Sequence, residues 1–450
     1  MKRLIGILIL FTALPAMAQT TVKQDPGIKQ MTDEVSAKNV ELIIRKLVSF
    51  KNRHTLGDTT STTIGVGAAR NWIKAEYERY AADSKGRMTV KFDTFTQPKG
   101  ERVSHPVKIK NVLAILKGTD PKDTRVYIVS GHYDSRRSDL MNPDGDAPGA
   151  NDDASGTAVS LELARVMAKR QFPATIIFMS VAGEEQSLLG SSHVAKVARA
   201  EGWNIDAMLN NDIVGNTHGL DNDLKNNTDV RVFSEGIPTV AAGNAKDIAG
   251  LISLGGENDS PSRELARYSK ETAERYVEQL NVKLIYRRDR YLRGGDHIPF
   301  LQEGFTAVRF TEMNEDFNRQ HQDIRTENGT DYGDLPDFVD FNYVQKVARM
   351  NLSVLANLTL APAEPQNVGV MTNALDNKTE LKWDAPKAGK KPAGYNVLVR
   401  ETISPYWEKK IFVADTHVSL NYSKDNYLFA VQSIDSEGHE SLPVVPKPTR

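Results

Sequence analysis

The chain has no cysteine among its 450 residues. Disulfides are therefore excluded, and any zinc it binds must be held by histidine and carboxylate groups. Its formal net charge is −1, so the overall balance gives no reason to expect nucleic acid or an anionic membrane as a partner. It also lacks internal repeats, heptad arrays and, past its first residues, any apolar run of membrane-spanning length. The exception lies at the start. MKRLIGILILFTALPAMAQT places Lys2 and Arg3 before an apolar stretch from Leu4 to about Leu14, with a small-residue site at Ala16-Met17-Ala18. This is the pattern of a secretory signal over residues 1–18, too short to cross a bilayer. No lipobox cysteine follows it. An exported, disulfide-free protein fits a bacterial periplasm or the surrounding medium.

What is present is enough chain for one large domain, over residues 19–361, and one small one. Residues 19 to about 35 are polar and read as mobile. From Ser36, SAKNVELIIRKLVSF puts Val40, Ile43, Ile44 and Leu47 on one helical face, and after a Thr-rich loop GAARNWIKAEYERYAAD predicts a second helix. Two strand-like runs follow, MTVKFDTFTQ and VKIKNVLAILKG. DASGTAVSLELARVMAKR predicts a helix with Val159, Leu163, Val166 and Met167 in the core. Ser262 to Leu280 predicts an amphipathic helix capped by Ser260-Pro261, and Phe338 to about Leu358 a closing helix. Pro362 and Pro365 mark a boundary. Residues 362–450 then read as a succession of short strands, the size of a small β-sandwich.

The chemistry concentrates at four strand ends. VYIVSGHYDS is a β-branched run ending at His132, and after an acidic, Gly/Pro-rich loop Asp152 and Asp153 open the next helix. ATIIFMSVAGEEQS carries Glu184 and Glu185 where a helix begins, IDAMLNNDIVG ends at Asp212, and FTAVRFTE leads into a polar segment holding His321. Alone, each has an ordinary explanation: a hydrogen-bonded histidine, a helix cap, a charged helix start. Together they bring two imidazoles and several carboxylates to the carboxyl ends of strands, where ligands of open α/β sheets bind. That donor set suits a two-metal site with one bridging carboxylate.

These stretches resemble the zinc aminopeptidases of peptidase family M28. The matching motifs are HYDS at 132–135, GANDDASG at 149–156, AGEEQSLLGS at 182–191, NNDIVG at 210–215, GGDHIPF at 294–300 and QHQDIRT at 320–326, in the family's order. The resemblance covers about residues 35–360 and implies an α/β fold, a mixed, mostly parallel central sheet flanked by helices, of the phosphorylase/hydrolase-like zinc-peptidase type. It assigns His132 and Asp212 to one Zn(2+), Glu185 and His321 to a second, Asp152 as the bridge and Glu184 as general base. In such a centre two ions polarise the scissile carbonyl and hold a hydroxide, while the glutamate carries a proton to the leaving amine. The family pattern further implies that Asp134 orients His132 and that the Asp152–Asp153 peptide is cis. It places Ile213, Asp296 and His297 at the substrate pocket, His297 as wall or support rather than ligand. Asn211 departs from the pattern, standing where the family often has an apolar residue; it reads as an extra hydrogen bond to a ligand or as an exposed turn. The tail resembles a fibronectin type III domain, with Trp383 as the early core tryptophan and Tyr427 as the corner tyrosine.

The implied function is an exported dinuclear-zinc exopeptidase that removes the N-terminal residue from peptides with a free N-terminus. Two alternatives share the fold. One is a glutaminyl cyclase, although Gln186 and Gln320, beside Glu185 and His321, supply no tryptophan for an aromatic-walled pocket. The other is a zinc carboxypeptidase, in which Arg287, Arg288, Arg290 and Arg293 would hold a terminal carboxylate, although such a cluster is ordinarily a solvated face. A receptor-like relative would have lost ligands, and this chain keeps all five and the base. Spacing does not encode the oligomeric state or the preferred N-terminal residue.

Overall fold

The β-branched runs between residues 88 and 312 pair into one eight-stranded sheet. The computed structural model describes residues 23–220, 224–240 and 244–450, and the expected signal at 1–18 lies outside them. Strands β1 (Met88–Gln97), β2 (Val107–Leu116), β3 (Arg125–His132), β4 (Thr175–Val181), β5 (Asn204–Asn211), β6 (Asp229–Phe233), β7 (Asn281–Ile285) and β8 (Ala307–Glu312) lie in the order β1-β2-β4-β3-β5-β8-β6-β7. β4, β3, β5 and β8 are mutually parallel, as are β6 and β7. The β1–β2, β2–β4 and β6–β8 pairs are antiparallel. The sheet is thus mixed and mostly parallel, as expected.

Helices cover both faces, and the strands show why. In β3, Tyr127 and Val129 join one hydrophobic cluster while Ile128 joins another; in β4, Ile176 and Phe178 alternate in the same way with Ile177 and Met179. Alternate side chains point to opposite faces, so a strand buried on both reads as a continuous apolar run. The larger cluster takes in α1 (Pro26–Glu34), α2 (Ala37–Val48), α3 (Gly65–Ala81) and α4 (Ala154–Met167). On the other face lies α5 (Leu189–Ala200). Further along come α6 (Ala245–Ser253), α7 (Pro261–Tyr276), α8 (His297–Gln302) and α9 (Phe341–Leu360), of which α7 and α9 join the larger cluster and α8 the smaller. Among the described residues no helix is long and apolar enough to cross a membrane.

Two local expectations change. The stretch from 19 to about 35, expected to be polar and mobile, contains α1, whose N-cap Asp25 accepts from Ile28 N at 2.8 Å and whose Ile28 and Met31 are buried. Two apolar side chains one turn apart are enough to dock a short helix against α9, although its composition reads as polar. Helix α7 stops at Tyr276 rather than Leu280, because Val277 is extended and Gln279 adopts φ +54°.

Past α9 the chain forms two further sheets, β15-β12-β11-β17 and β14-β13-β16. Their strands are β11 (Gln366–Met371), β12 (Thr379–Asp384), β13 (Gly394–Glu401), β14 (Lys409–Val413), β15 (His417–Leu420), β16 (Tyr427–Ile434) and β17 (Lys447–Thr449); β9 (Arg325–Glu327) and β10 (Thr330–Tyr332) form a separate hairpin upstream. The two sheets share a core that includes Leu381, Trp383, Tyr395, Val397 and Phe429, with Tyr427 packed against it. This unit is not loosely tethered. Tyr268 of α7 donates to the Glu440 carbonyl at 2.8 Å, Trp407 Nε1 donates to Glu264 at 2.8 Å, and Arg400 pairs with buried Asp259.

Candidate functional site

The expected metal ligands and Glu184 arrive at the carboxyl ends of parallel strands or in the loops that follow them. His132 ends β3, Asp212 follows β5, Glu184 and Glu185 occupy the turn after β4, Asp152 precedes α4, and His321 lies in the loop after β8. The glutamates do not open a helix as expected. Helix α5 starts only at Leu189, after Ser187 and Leu188 turn the chain at φ +86° and +60°. Two glycines let the elements close up. A Cβ on Gly131 would stand 2.3 Å from the Gly156 backbone, and one on Gly156 2.1 Å from the Asn211 carbonyl oxygen. Asp153 caps α4 by accepting from Gly156 N at 2.8 Å, and its other oxygen accepts from His132 N at 2.9 Å. The Asp152–Asp153 peptide bond is cis.

The side chains form two groups that share one member. His132, Asp152 and Asp212 each bring a potential ligand atom within 4.8 Å of the others, and so do Asp152, Glu185 and His321. Asp152 Oδ1 is 3.1 Å from His132 Nε2, and its Oδ2 is 2.8 Å from His321 Nε2. His321 Nε2 is also 3.1 Å from Glu185 Oε1. Yet His132 Nε2, His321 Nε2 and Glu185 Oε1 are buried without a hydrogen-bond partner. They are close to the neighbouring atoms but not aligned with them as donor and acceptor. Such atoms are costly to leave unpaired, and nitrogen and carboxylate donors converging in this way fit a divalent cation in each group.

Glu184 stands beside these groups, its Oε2 3.9 Å from His132 Nε2 and its side chain more open than that of Glu185, 14% exposed against 5%. The Nδ1 of His132 lies 3.2 Å from the Asp134 backbone oxygen and 3.4 Å from its Oδ1. Thr55 Oγ1 fixes the other Asp134 oxygen at 2.9 Å. Electrostatics supports a cation here. Burial, reinforced by Asp212 and Glu185 and opposed by His132, holds the Glu184 carboxyl well above the usual carboxylate range. Burial works against a charged His321, but Glu185 and Asp152 outweigh it and lift the imidazole to about 10. The carboxylates thus draw positive charge, which protonated imidazoles or divalent cations can supply.

The centre opens into a cleft of about 360 Å³ whose walls carry Arg102, Arg136, Arg290, Arg293, Leu188 and Leu292. Ile213, Asp296 and His297 do not line it. Ile213 is buried at φ +50°, and Asp296 and His297 are fully buried. The His297 Nε2 is bonded to the Arg288 carbonyl at 2.8 Å, and burial takes its imidazole down to about 4. The loop that His297 anchors presents its own Arg290, Leu292 and Arg293 to the cleft instead. Of the basic cluster, Arg287 and Arg288 are exposed while Arg290 and Arg293 turn inward. Asn211 is neither a ligand contact nor an exposed turn: it exchanges amide hydrogen bonds of 3.1 and 2.7 Å with Asn351, tying β5 to α9.

Several contributors were not singled out from the sequence. Asp334 accepts from the Asn151 and Asp152 amides at 2.8 and 2.7 Å, Gln320 Nε2 donates to Asp152 Oδ2 at 2.9 Å, and Arg136 Nε donates to Glu185 Oε2 at 2.9 Å. Arg309 Nη2 lies 2.9 Å from Asp212 Oδ1. Only Arg309 had a visible signal, a lone guanidinium inside an apolar strand, which must find a partner when buried.

The model for peptidase family M28 matches residues 111–339, slightly more than half of the chain and a span that includes every residue from His132 to His321. The chain belongs to peptidase family M28. This M28 chain is 49% identical over 422 residues to a probable zinc metalloprotease of Leptosphaeria maculans, covering 94% of the chain and 97% of that relative. It is 48% identical over 425 residues to a probable zinc metalloprotease of Pyrenophora teres f. teres, with coverage of 94% and 87%. Among solved structures, the LapA aminopeptidase of Legionella pneumophila is similar in fold, with a TM-score of 0.53 at 18% identity over 76% of each chain.

Proposed function

We propose that this M28 chain is an exported dinuclear-zinc aminopeptidase that removes single N-terminal residues from peptides with a free α-amine. The observation that carries the reading is Asp152, a carboxylate whose two oxygens face different imidazoles at 3.1 and 2.8 Å. A group so placed suits a bridge, and His132 and Asp212 would hold one ion and Glu185 and His321 the other. Zinc bound there supplies Lewis-acid polarisation of the scissile carbonyl and a nucleophile drawn from water at neutral pH. The chain's own residues do the rest. Glu184 takes a proton from the attacking water and returns it to the leaving amine. The acidic floor of the cleft holds the substrate's α-ammonium group. Asp134 keeps His132 oriented, Arg309 does the same for Asp212, and Ile213, Asp296 and His297 support the pocket from behind.

The leader pattern over residues 1–18 supports export, and an exported chain without disulfides fits a bacterial periplasm or the medium. The two probable zinc metalloproteases named above are fungal, and export is the part of the reading that does not depend on the host. We read residues 19–361 as the peptidase domain and 362–450 as a fibronectin type III-like sandwich. The paired sheets and the burial of Trp383 between them support that division.

The test follows a free peptide and its N-acetylated twin by mass spectrometry, with and without chelator. Stepwise shortening of the free peptide alone, abolished by chelator, is the expected result. Loss of residues from the carboxyl end of both would make the chain a carboxypeptidase. No cleavage with zinc restored, but loss of ammonia from a peptide beginning with Gln, would make it a cyclase.

A further inference from the structure

The cleft has a charge layout that peptide-bond hydrolysis does not by itself require. Its floor is acidic, while its walls carry four arginines from three separate loops. Two of these are committed. Arg136 donates to Glu185 at 2.9 Å and lies 2.7 Å from His321 Nδ1. Arg290, only 10% exposed, is tied to Asp289 and Glu315.

The other two are more open. Arg293 lies 2.8 Å from the same Glu315 oxygen that Arg290 meets at 2.9 Å, while Arg231 takes the other oxygen at 2.8 Å. Burial would raise the Glu315 carboxyl, but Arg290, Arg293 and Arg231 hold it at about 2. Glu315 and neighbouring Asp289 are shared among Arg231, Arg290, Arg293 and Arg309, and Arg293, which pairs with Glu315 alone, is the most open of the Glu315 partners at 30% exposure. Arg102 forms no ion pair among the described residues, its Nη1 reaching only the Glu185 carbonyl oxygen at 3.4 Å.

We propose, on the aminopeptidase reading above, that Arg102 and Arg293 select peptides in which the residue after the scissile bond carries a carboxylate. That group is either the α-carboxylate of a dipeptide or an acidic side chain. The planar fork of arginine matches a carboxylate in a way that a lone ammonium does not. At about 360 Å³ the cleft lies near the low end of the ~300–1,000 Å³ typical of small-ligand sites, so it suits a short peptide end whose carboxylate lies close to the reacting bond.

The test uses the zinc-loaded full chain and three substrates, Leu-Ala, Leu-Ala-amide and Leu-Glu-amide, with Arg102→Gln and Arg293→Gln as variants. A KM at least about tenfold lower for a carboxylate-bearing peptide than for Leu-Ala-amide is expected, the scale of a charge-assisted hydrogen bond. That ratio should collapse toward one in both variants, with the change in KM rather than kcat. Preference for Leu-Ala identifies the α-carboxylate as the ligand, and preference for Leu-Glu-amide identifies the side chain. Equal KM for all three, or a ratio that survives both substitutions, overturns the carboxylate proposal and leaves the aminopeptidase reading standing. Failure to cleave any of the three overturns the aminopeptidase reading and the carboxylate proposal with it.

Discussion

Arg309 of β8 places its Nη2 2.9 Å from Asp212 Oδ1 at the end of neighbouring β5, with both side chains buried. The same guanidinium lies 3.1 Å from Asp289 Oδ2. Burial pushes the Asp212 carboxyl up, and Arg309 is the leading opposing influence. A guanidinium enclosed behind the acidic floor thus offsets part of the cost of burying one of its carboxylates.

Replacing Arg309 by Met should therefore leave buried Asp212 without its guanidinium partner and Asp289 with Arg290 alone. Removing one partner of a buried pair typically costs about 3–5 kcal/mol, and a loss of this order is expected from urea unfolding in the presence of chelator. Arg309→Lys should recover part of it, because a point charge serves one carboxylate and not the fork across both. If the Met variant unfolds at the wild-type urea concentration, Arg309 has no such role.

Zinc content separates a shared carboxylate from two independent groups. Asp212→Ala and His321→Ala should each lower bound zinc from about two to about one per chain, measured by elemental analysis after dialysis, because each serves a single group of N/O donors. Asp152→Ala should affect both ions. Retention of two zincs by the Asp152 variant would remove the bridge from the proposal.

Glu184 lies next to the ligand set but outside both donor groups. Glu184→Gln should slow hydrolysis by about 10²–10⁴-fold, the usual scale for losing a general acid–base group, while zinc content and melting temperature stay at wild-type values. A variant that lost zinc in proportion to its activity would show Glu184 to be a ligand instead.

What was legible in the sequence was the chemistry attached to an apolar run. His132, Asp212 and the Glu184–Glu185 pair each end or follow a strand whose hydrophobic pattern announces it, so the strand end and the functional group are read together. Contacts between distant segments had no such marker. Asp334 meets the Asp152 amide, and Asn351 meets Asn211, across separations of 182 and 140 residues. Asn211 was misread for that reason, since its local neighbours give no sign of a buried amide partner. The cleft wall was illegible on different grounds. His297 belongs to the recognisable GGDHIPF motif, yet the backbone of the loop before it, bonded through the Arg288 carbonyl, decides which side chains face the cleft.

The junction between α7 and the C-terminal sheets should respond to pH through Glu264. Its carboxyl is buried, accepts from Trp407 Nε1 at 2.8 Å and pairs with Arg267, with Asp259 and Arg400 also facing it. Burial is the largest influence and Arg267 opposes it, leaving the carboxyl raised to about 7. In the unfolded chain a glutamate titrates near ~4.3. The folded state therefore keeps a proton that the unfolded state releases, so this contribution to stability is complete below ~4.3 and is lost as pH rises through about 7. Glu264→Gln is neutral at every pH and still accepts from Trp407, so it lacks that dependence. Melting temperatures of the two proteins should diverge in favour of the variant between pH 5 and pH 8, with groups common to both cancelling in the comparison. A difference that stays constant across that range would mean that Glu264 remains ionised throughout, its charge held by Arg267 despite burial.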